Sequence, residues 1–140
     1  MLVFDTDHMS LLEWANSAEF QRLNRRLDNT SQETATTIIS YEEQARGWLA
    51  YVAKAQTLSQ QIDAYRKLNR HLATYRRIQV LEFDERAATE FQRLRKLSTR
   101  VGTMDLRIAA IALTHRAKLL SRNLADFRKI PNLDAEDWTT

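Results

Sequence analysis

Short apolar runs alternate along the chain with longer segments in which apolar residues recur every three or four positions. The short runs predict buried strands, the last of them being a strand or an extended tail, at residues 2–4, 34–39, 78–83, 118–121 and 133–138. The spaced segments predict helices at residues 8–14, 18–27, 41–54, 55–76, 84–97 and 103–115, with a further helical turn at 123–127. Because strands that alternate with helices pair in parallel through right-handed crossovers, the pattern predicts a parallel α/β sheet.

The segment from residue 101 to residue 115 contains the most apolar of these helices. Gly102 and Thr103 predict a turn followed by a helix cap, and residues 108–113 are all apolar. A helix that is apolar on nearly all sides belongs in a core, so we expect this one to be the most buried. Asp105 falls in its first turn, where the free N–H groups and the helix dipole favour a carboxylate.

Composition limits the class of protein. The 140 residues are 44% hydrophobic and 28% charged, which is typical of a globular chain, and we expect a single domain over residues 1–140. The formal net charge of +3 is a weak indication of nucleic-acid contact. The lack of cysteine excludes disulfides and thiolate metal sites, and no apolar run approaches the roughly 20 residues of a membrane helix. We therefore expect a cytoplasmic protein without membrane contact.

Three acidic residues occupy equivalent positions in three strand–helix units. Asp5 follows the first predicted strand, Glu43 lies one turn into the helix after the second, and Asp105 begins the apolar helix. The carboxyl ends of parallel strands share one edge of a sheet, so these side chains can converge. Two carboxylates about 4 Å apart repel by about 4 kcal/mol at an effective dielectric near 20, and protons or a cation must relieve that repulsion. Oxygen ligands without cysteine or paired histidine suit Mg²⁺ or Mn²⁺ rather than zinc.

Four stretches of the sequence together resemble the PIN-domain ribonucleases, and above all the VapC toxins of type II toxin–antitoxin pairs. They are V-F-D-T-D-H-M-S-L-L, I-S-Y-E-E-Q-A-R-G, G-T-M-D-L-R-I-A-A-I-A-L and L-L-S-R-N-L-A-D-F-R-K-I-P-N-L. Their order and spacing are similar to those of the family from residue 2 to Trp138. The resemblance implies a PIN-like three-layer α/β/α fold around a central, mostly parallel sheet of four to five strands.

The resemblance also assigns acids to the site. It puts the first three acidic positions of the family on Asp5, Glu43 and Asp105. Glu43 is located by the match of residues 43–47 to the family's E-L-x-x-G, in which Gln44 replaces the usual leucine for no reason that the sequence reveals.

The fourth acidic position stays open between Asn123 and Asp126, and the nearby Ser121 replaces the family's usual threonine but keeps a hydroxyl. The resemblance implies that RNA is hydrolysed by water that one or two bound Mg²⁺ ions, or Mn²⁺ ions, activate. The implied catalytic residues and metal ligands are Asp5, Glu43, Asp105 and Asp126, with Asn123 as a further ligand.

Other polar residues near these acids have supporting roles in the hypothesis. The arginines that could hold flanking phosphates are Arg46, Arg107 and Arg122. The accessory residues are Thr6, Asp7 and Ser121, and Asp7 is either a helix N-cap or an accessory metal or water contact. His8 has no second histidine at a ligand spacing, which favours a turn or packing role.

The resemblance implies partners as well as a substrate. It implies a toxin that cuts RNA, inhibits translation, forms a homodimer and is neutralised by a VapB-like antitoxin. Trp14, Trp48 and Tyr51 either pack within the monomer or contribute to the antitoxin surface. The basic residues from Arg66 to Arg77 form either a solvated helix face or a contact for RNA or an acidic partner.

Two alternatives to an active ribonuclease stay open at this point. A degenerate PIN-like domain would keep the fold and bind RNA or protein without cutting. The sequence Asp5-Thr6-Asp7 after a strand also resembles the D-x-D opening of haloacid-dehalogenase-type phosphatases, whose cores are usually longer than this chain.

Overall fold

The computed structural model describes residues 1–14, 16–97 and 99–140 of the chain. Its strands are β1 (Leu2–Phe4), β2 (Thr34–Thr37), β3 (Gln79–Leu81), β4 (Lys118–Leu120) and β5 (Asp134–Glu136). They form one five-stranded sheet in the spatial order β3-β2-β1-β4-β5, and every pairing is parallel. The parallel sheet predicted from the sequence is confirmed, and the segment at 133–138 contains a strand.

Helices connect the strands and cover the sheet. They are α1 (Thr6–Glu13), α2 (Ala18–Asp28), α3 (Ile38–Lys54), α4 (Leu58–Arg76), α5 (Glu85–Arg95), α6 (Thr103–Thr114) and α7 (Leu124–Phe127). Each strand on the way to β4 is followed by one or two helices, as the alternating pattern predicted.

Successive side chains of the central strand point to opposite faces of the sheet. Val3 belongs to an apolar cluster with side chains of α5, α6 and α7, whereas Leu2 and Phe4 belong to a cluster with side chains of α1, α2 and α4. Every residue of α6 from Ile108 to Ala112 is fully buried, which confirms α6 as the most buried helix. The sheet is therefore the middle layer of an α/β/α sandwich, as the family resemblance implied.

Two helices begin earlier than predicted, because a side chain caps each of them at an earlier residue. The predicted strand over residues 34–39 ends at Thr37, whose hydroxyl accepts a hydrogen bond from the backbone N–H of Ser40 at 3.1 Å. The helix predicted over residues 41–54 therefore starts earlier, and α3 begins at Ile38. Asp5 caps α1, which begins at Thr6 rather than at residue 8. Gly102 precedes α6, so Thr103 is its first residue and not its cap.

The α3 and α4 helices pair as a hairpin. Thr57 and Gln60 form a capping box at the start of α4. The outer apolar side chains of α4 are not covered, since Ile62 is 54% exposed and Tyr65 58% exposed. In the described ranges, no helix combines the length and apolar character needed to span a membrane.

Candidate active site

Asp5 lies at the carboxyl end of β1 and caps α1. Its side chain is only 6% exposed. Oδ1 accepts a hydrogen bond from the backbone N–H of Thr6 at 2.7 Å, and Oδ2 accepts one from the Ser121 hydroxyl at 2.7 Å. Burial and the negative charge of Asp7 raise the pKa of Asp5 to about 7, although both hydrogen bonds lower it. The fold thus orients this carboxylate with neutral donors.

Glu43 reaches the same edge of the sheet from α3. The Thr6 hydroxyl donates to Glu43 Oε1 at 3.1 Å and lies 3.1 Å from the Ser40 hydroxyl, which ties α1 to α3. Burial raises the pKa of Glu43, and the negative charge of Asp105 raises it further. Asp105 also raises the pKa of Asp5. The three acids that follow separate strands therefore lie within electrostatic reach of one another.

Asn123 links the two remaining acids. Its side-chain amide donates to Asp105 Oδ2 at 3.2 Å and to Asp126 Oδ2 at 3.1 Å. Burial and the charge of Asp126 raise the pKa of Asp105. The pKa of the Asp126 carboxyl is lowered instead, by the Asn123 amide and by Lys129, whose Nζ lies 3.2 Å from Oδ1. Asp105 is thus the buried member of this pair, and Asp126 lies at the outer edge.

Asp7 holds the loop after β4 rather than capping a helix. Its Oδ2 accepts a hydrogen bond from the backbone N–H of Arg122 at 3.0 Å. Its Oδ1 lies 2.7 Å from Nδ1 of the fully buried His8, and the other ring nitrogen of His8 accepts the backbone N–H of Trp138 at 3.3 Å. Because Nε2 of His8 accepts a hydrogen bond, Nδ1 carries the hydrogen and donates it in a hydrogen bond to Asp7. The N-cap expectation for Asp7 is wrong, since Asp5 caps α1.

Comparison with known proteins identifies the family. The family model described as the PIN domain matches residues 3–133. The chain belongs to the PIN-domain family. This confirms the family that the sequence motifs predicted, and the match runs from Val3 in β1 through β4 and α7 and ends just before β5.

A curated PIN-domain relative is similar over part of its length. Ribonuclease VapC2 of Rickettsia felis is 32% identical over 66 residues, which are 44% of this chain and 49% of that protein. The match therefore spans about half of the relative.

Solved structures share the PIN fold over nearly the whole chain. VapBC-1 from nontypeable Haemophilus influenzae has a TM-score of 0.74 at 23% identity, with 99% of this chain and 98% of that chain covered. VapBC2 from Rickettsia felis, bound to a DNA fragment from its promoter, has a TM-score of 0.73 at 23% identity, with 98% of each chain covered. At this identity the likeness establishes the fold.

The acidic edge of the PIN domain has the donor chemistry of a divalent-cation site. Asp5, Glu43 and Asp105 are carboxylates whose pKa values burial raises and whose charges repel, so a hard cation would stabilise their ionised forms. The carboxylate oxygens are hydrogen-bonded to Thr6, Ser121 and Asn123. Across residues 1–14, 16–97 and 99–140, no three acidic or histidine side chains have the geometry to hold one ion. Binding would therefore need these side chains to move closer together, and each carboxylate oxygen could keep its protein donor because it has a second lone pair.

The three arginines proposed to hold phosphates have different surroundings. Arg46 forms an exposed ion pair with Glu42 at 2.5 Å. Arg107 lies 5.4 Å from the centre of the Phe91 ring and contacts Met104. Arg122 is exposed beside Asp7. In the part of the chain that the structure describes, none of the three forms an ion pair with Asp5, Glu43, Asp105 or Asp126, and a role in holding phosphates stays a prediction.

Gln44 and Tyr75 form a polar contact behind the site that sequence reasoning missed. The Tyr75 hydroxyl donates to Gln44 Oε1 at 2.5 Å, and Gln44 Nε2 donates to the Ser10 hydroxyl at 2.8 Å. Gln44 on α3 thereby joins α1 to α4. The structure explains the glutamine that stands in place of the family's leucine, because it satisfies a mostly buried tyrosine hydroxyl. The only signal in the sequence was that departure from the motif.

Proposed function

We propose that this PIN domain is a metal-dependent endoribonuclease that acts in the cytoplasm as a VapC-type toxin. The observation that carries the proposal is the convergence of Asp5, Glu43 and Asp105 at one sheet edge, with burial raising all three pKa values. Such perturbed carboxylates are typical of functional sites. The similarity to Ribonuclease VapC2 over 66 residues supports RNA as the substrate.

The residues proposed to hold the ion are Asp5, Glu43, Asp105, Asn123 and Asp126. When bound there, Mg²⁺ or Mn²⁺ would supply the Lewis acidity that lowers the pKa of water and offsets charge developing on the scissile phosphate. On the α6 side, Asp105 is more buried than Asp126 and is the proposed inner ligand, and the amide of Asn123 orients it.

Hydroxyl groups keep the carboxylates in place for this role. The Ser121 hydroxyl donates to Asp5 and accepts the backbone N–H of Asn123 at 2.9 Å, so one serine links the β1 and α7 sides of the site. The Thr6 hydroxyl links α1 to α3 in a similar way, because it donates a hydrogen bond to Glu43. Such supporting contacts set the orientation of metal ligands and are worth about 10–100-fold in affinity or activity.

We further propose that the toxin is a homodimer and binds a VapB-like antitoxin. The similar solved structures are VapBC assemblies, which supports a partner of that kind. The α3–α4 hairpin supports a protein interface, since Leu49, Tyr65 and Leu72 line an apolar cavity of about 510 Å³ and are each at least 48% exposed.

The test is RNA cleavage by purified variants in the presence of Mg²⁺. Asp5→Asn and Asp105→Asn should each lower the cleavage rate by more than about 100-fold, since even the outer partners of metal ligands are worth about 10–100-fold. Glu42→Gln is the matched control, because Glu42 pairs with Arg46 at the surface, and it should change the rate by less than about twofold. Circular dichroism checks that each variant is folded.

Unchanged cleavage by both aspartate variants would overturn the proposal. A wild-type protein that binds neither Mg²⁺ nor Mn²⁺ in calorimetry would also overturn it, and would favour a PIN domain that binds without cutting.

A further inference from the structure

A second buried carboxylate lies at the other end of α1. Glu13 is 9% exposed, and no residue within the described ranges donates a hydrogen bond to its Oε1. A buried carboxylate without a partner is costly, since desolvation penalises its charge. Burial accordingly raises the pKa of Glu13, and the positive charge of Arg70 lowers it by less. Glu13 is therefore a buried carboxylate with an oxygen that could accept a hydrogen bond from a bound cation.

Glu13 lines a cavity of about 260 Å³ between α1 and α3. Aromatic rings form its walls: the centroids of Trp14 and Trp48 are 6.0 Å apart, and those of Trp48 and Tyr51 are 5.8 Å apart at 89°. Gly47 leaves room on the α3 side, because a Cβ built on it would meet nothing within 4 Å. Three aromatic rings and one carboxylate that line the same cavity have the chemistry of a cation site.

The rims of the cavity already attract cations. The guanidinium carbon of Arg70 lies 4.6 Å from the centre of Trp14, and Lys67 Nζ lies 4.7 Å from the centre of Tyr51. Neither forms an ion pair with Glu13 among the residues that the structure describes. Each of these cations lies over one ring of the cavity, and neither pairs with the carboxylate of Glu13.

The cavity lies beside the acidic edge along α1 and α3. On α3, Glu43, Gly47 and Tyr51 are spaced four residues apart and share one face, so Glu43 and Tyr51 are about 12 Å apart along the axis. Ser10 of α1 faces them and is held by Gln44 at 2.8 Å. An extended polypeptide of about four residues spans that distance.

We propose that the cavity formed by Glu13, Trp14, Gly47, Trp48 and Tyr51 binds the guanidinium group of an arginine that a partner polypeptide carries. Arginine fits best, because its planar group stacks on aromatic rings, pairs with a carboxylate and is weakly hydrated. The polypeptide nature of the partner rests on the proposed antitoxin partnership, whereas the preference for a cation rests on Glu13 and the three rings.

The test follows the indole N–H signals of Trp14 and Trp48 by NMR, with Trp138 as an internal reference. N-acetyl-arginine amide should shift both signals in a saturable manner, and its neutral isostere N-acetyl-citrulline amide should bind at least about fivefold more weakly. Glu13→Gln should remove the difference between the two probes. Glu82→Gln makes the same change of charge at an exposed residue outside the cavity, and should leave the difference intact.

A second variant guards against misfolding. Gly47→Leu fills the cavity from a position with free space, so it should fold and lose binding of both probes. The proposal would be overturned if the two probes bind equally, or if neither gives a saturable shift up to its solubility limit. It would also be overturned if Glu13→Gln binds N-acetyl-arginine amide as tightly as the wild type does.

A double variant separates this site from the proposed active site. Asp5→Asn with Asp105→Asn removes the charges of the acidic edge and should leave binding of N-acetyl-arginine amide at the indoles unchanged. Loss of that binding would overturn the assignment to Glu13.

A peptide tests the polypeptide part. Acetyl-Arg-Ala-Ala-Ala-Arg amide can reach from the cavity to the acidic edge, so in the wild type it should bind at least about tenfold more tightly than the single arginine. The double variant should reduce the peptide to the affinity of one arginine. A peptide that binds the wild type no better than one arginine would overturn the polypeptide partner.

Discussion

The two ends of α1 carry the two most instructive carboxylates of the molecule. Asp5, at the beginning, accepts hydrogen bonds from Thr6 and Ser121 and has other acids around it. Glu13, at the end, has an oxygen that no described residue contacts through a hydrogen bond, and it has aromatic rings around it. Burial raises the pKa of both.

The two carboxylates differ in the kind of cation that their surroundings can bind. Several oxygen donors that repel one another suit a small divalent cation with a high charge density. One carboxylate among π-faces suits a single, large and weakly hydrated organic cation. The same physical problem, a buried negative charge, therefore predicts two different ligands on one helix.

The largest expected effect is on stability without metal. The folded pKa of Asp5, about 7, lies above the value of about 3.9 in unfolded chains, so its ionisation removes stability as the pH rises from about 4 to about 7. Asp5→Asn should therefore increase the free energy of unfolding by about 4 kcal/mol at pH 8, and by almost nothing at pH 4. Urea denaturation in EDTA at the two pH values measures this.

Glu13→Gln sharpens the contrast between the two ends. Glu13→Gln should also increase the free energy of unfolding, and more so at high pH than at low pH, as Asp5→Asn does. The increase should be smaller than that of Asp5→Asn, because Arg70 offsets part of the charge of Glu13. A gain at Glu13 as large as that at Asp5 would contradict the contrast.

The next effect is that of added metal. Mg²⁺ at about 100 times its dissociation constant should raise the free energy of unfolding of the wild type by about 2.7 kcal/mol. Glu13→Gln should keep this gain, and Asp5→Asn should lose most of it, since only Asp5 belongs to the acidic edge. Thermal unfolding with and without MgCl₂ measures both. An equal loss in the two variants would mean that the two ends are not separate sites.

The contact between the two ends has a smaller effect. Gln44→Leu restores the family's usual residue but leaves the Tyr75 hydroxyl without its acceptor, which should lower the free energy of unfolding by about 1–3 kcal/mol. Tyr75→Phe in the same chain should recover most of the loss. A double-mutant cycle from urea denaturation gives the coupling, and a coupling near zero would remove the structural reason for the glutamine.

The smallest effect is at the cavity wall. Gly47→Ala should increase the free energy of unfolding by about 0.5–1 kcal/mol, because alanine is the better helix former and its Cβ meets open space. Thermal unfolding measures the gain. Destabilisation would show that the cavity is already closed on the α3 side.

Much of the fold follows from the sequence for local reasons. The buried strand of Leu2–Phe4 is a run of apolar residues that ends at an acid, and α6 is apolar on every side. The start of α3 did not follow, because Ile38 is β-branched and favours a strand on its own. Thr37 overrides that preference by capping the helix, and which hydroxyl acts as the cap depends on tertiary position.

Part of the candidate site could likewise be predicted from the sequence, and part could not. Asp5, Glu43 and Asp105 follow strands that must share an edge, so their convergence could be predicted. The cavity around Glu13 could not, because Glu13 and Trp14 end α1 whereas Trp48 and Tyr51 belong to α3, and no motif relates the two helices. Asn123 was expected as a ligand, but its amide bridge from Asp105 to Asp126 depends on side-chain geometry.

The order of the strands has a consequence for when the candidate site forms. Of the five strands, β1 is synthesised first and occupies the middle of the sheet, and one of its two neighbours is β4 at Lys118–Leu120. Parallel partners so distant in sequence pair late, because the loop between them must close first. Ser121 and Asn123 reach Asp5 and Asp105 only after that pairing. A nascent chain therefore carries Asp5 and Glu43 for most of its synthesis without an assembled site, and the proposed cleavage of RNA would have to wait until β4 has paired with β1.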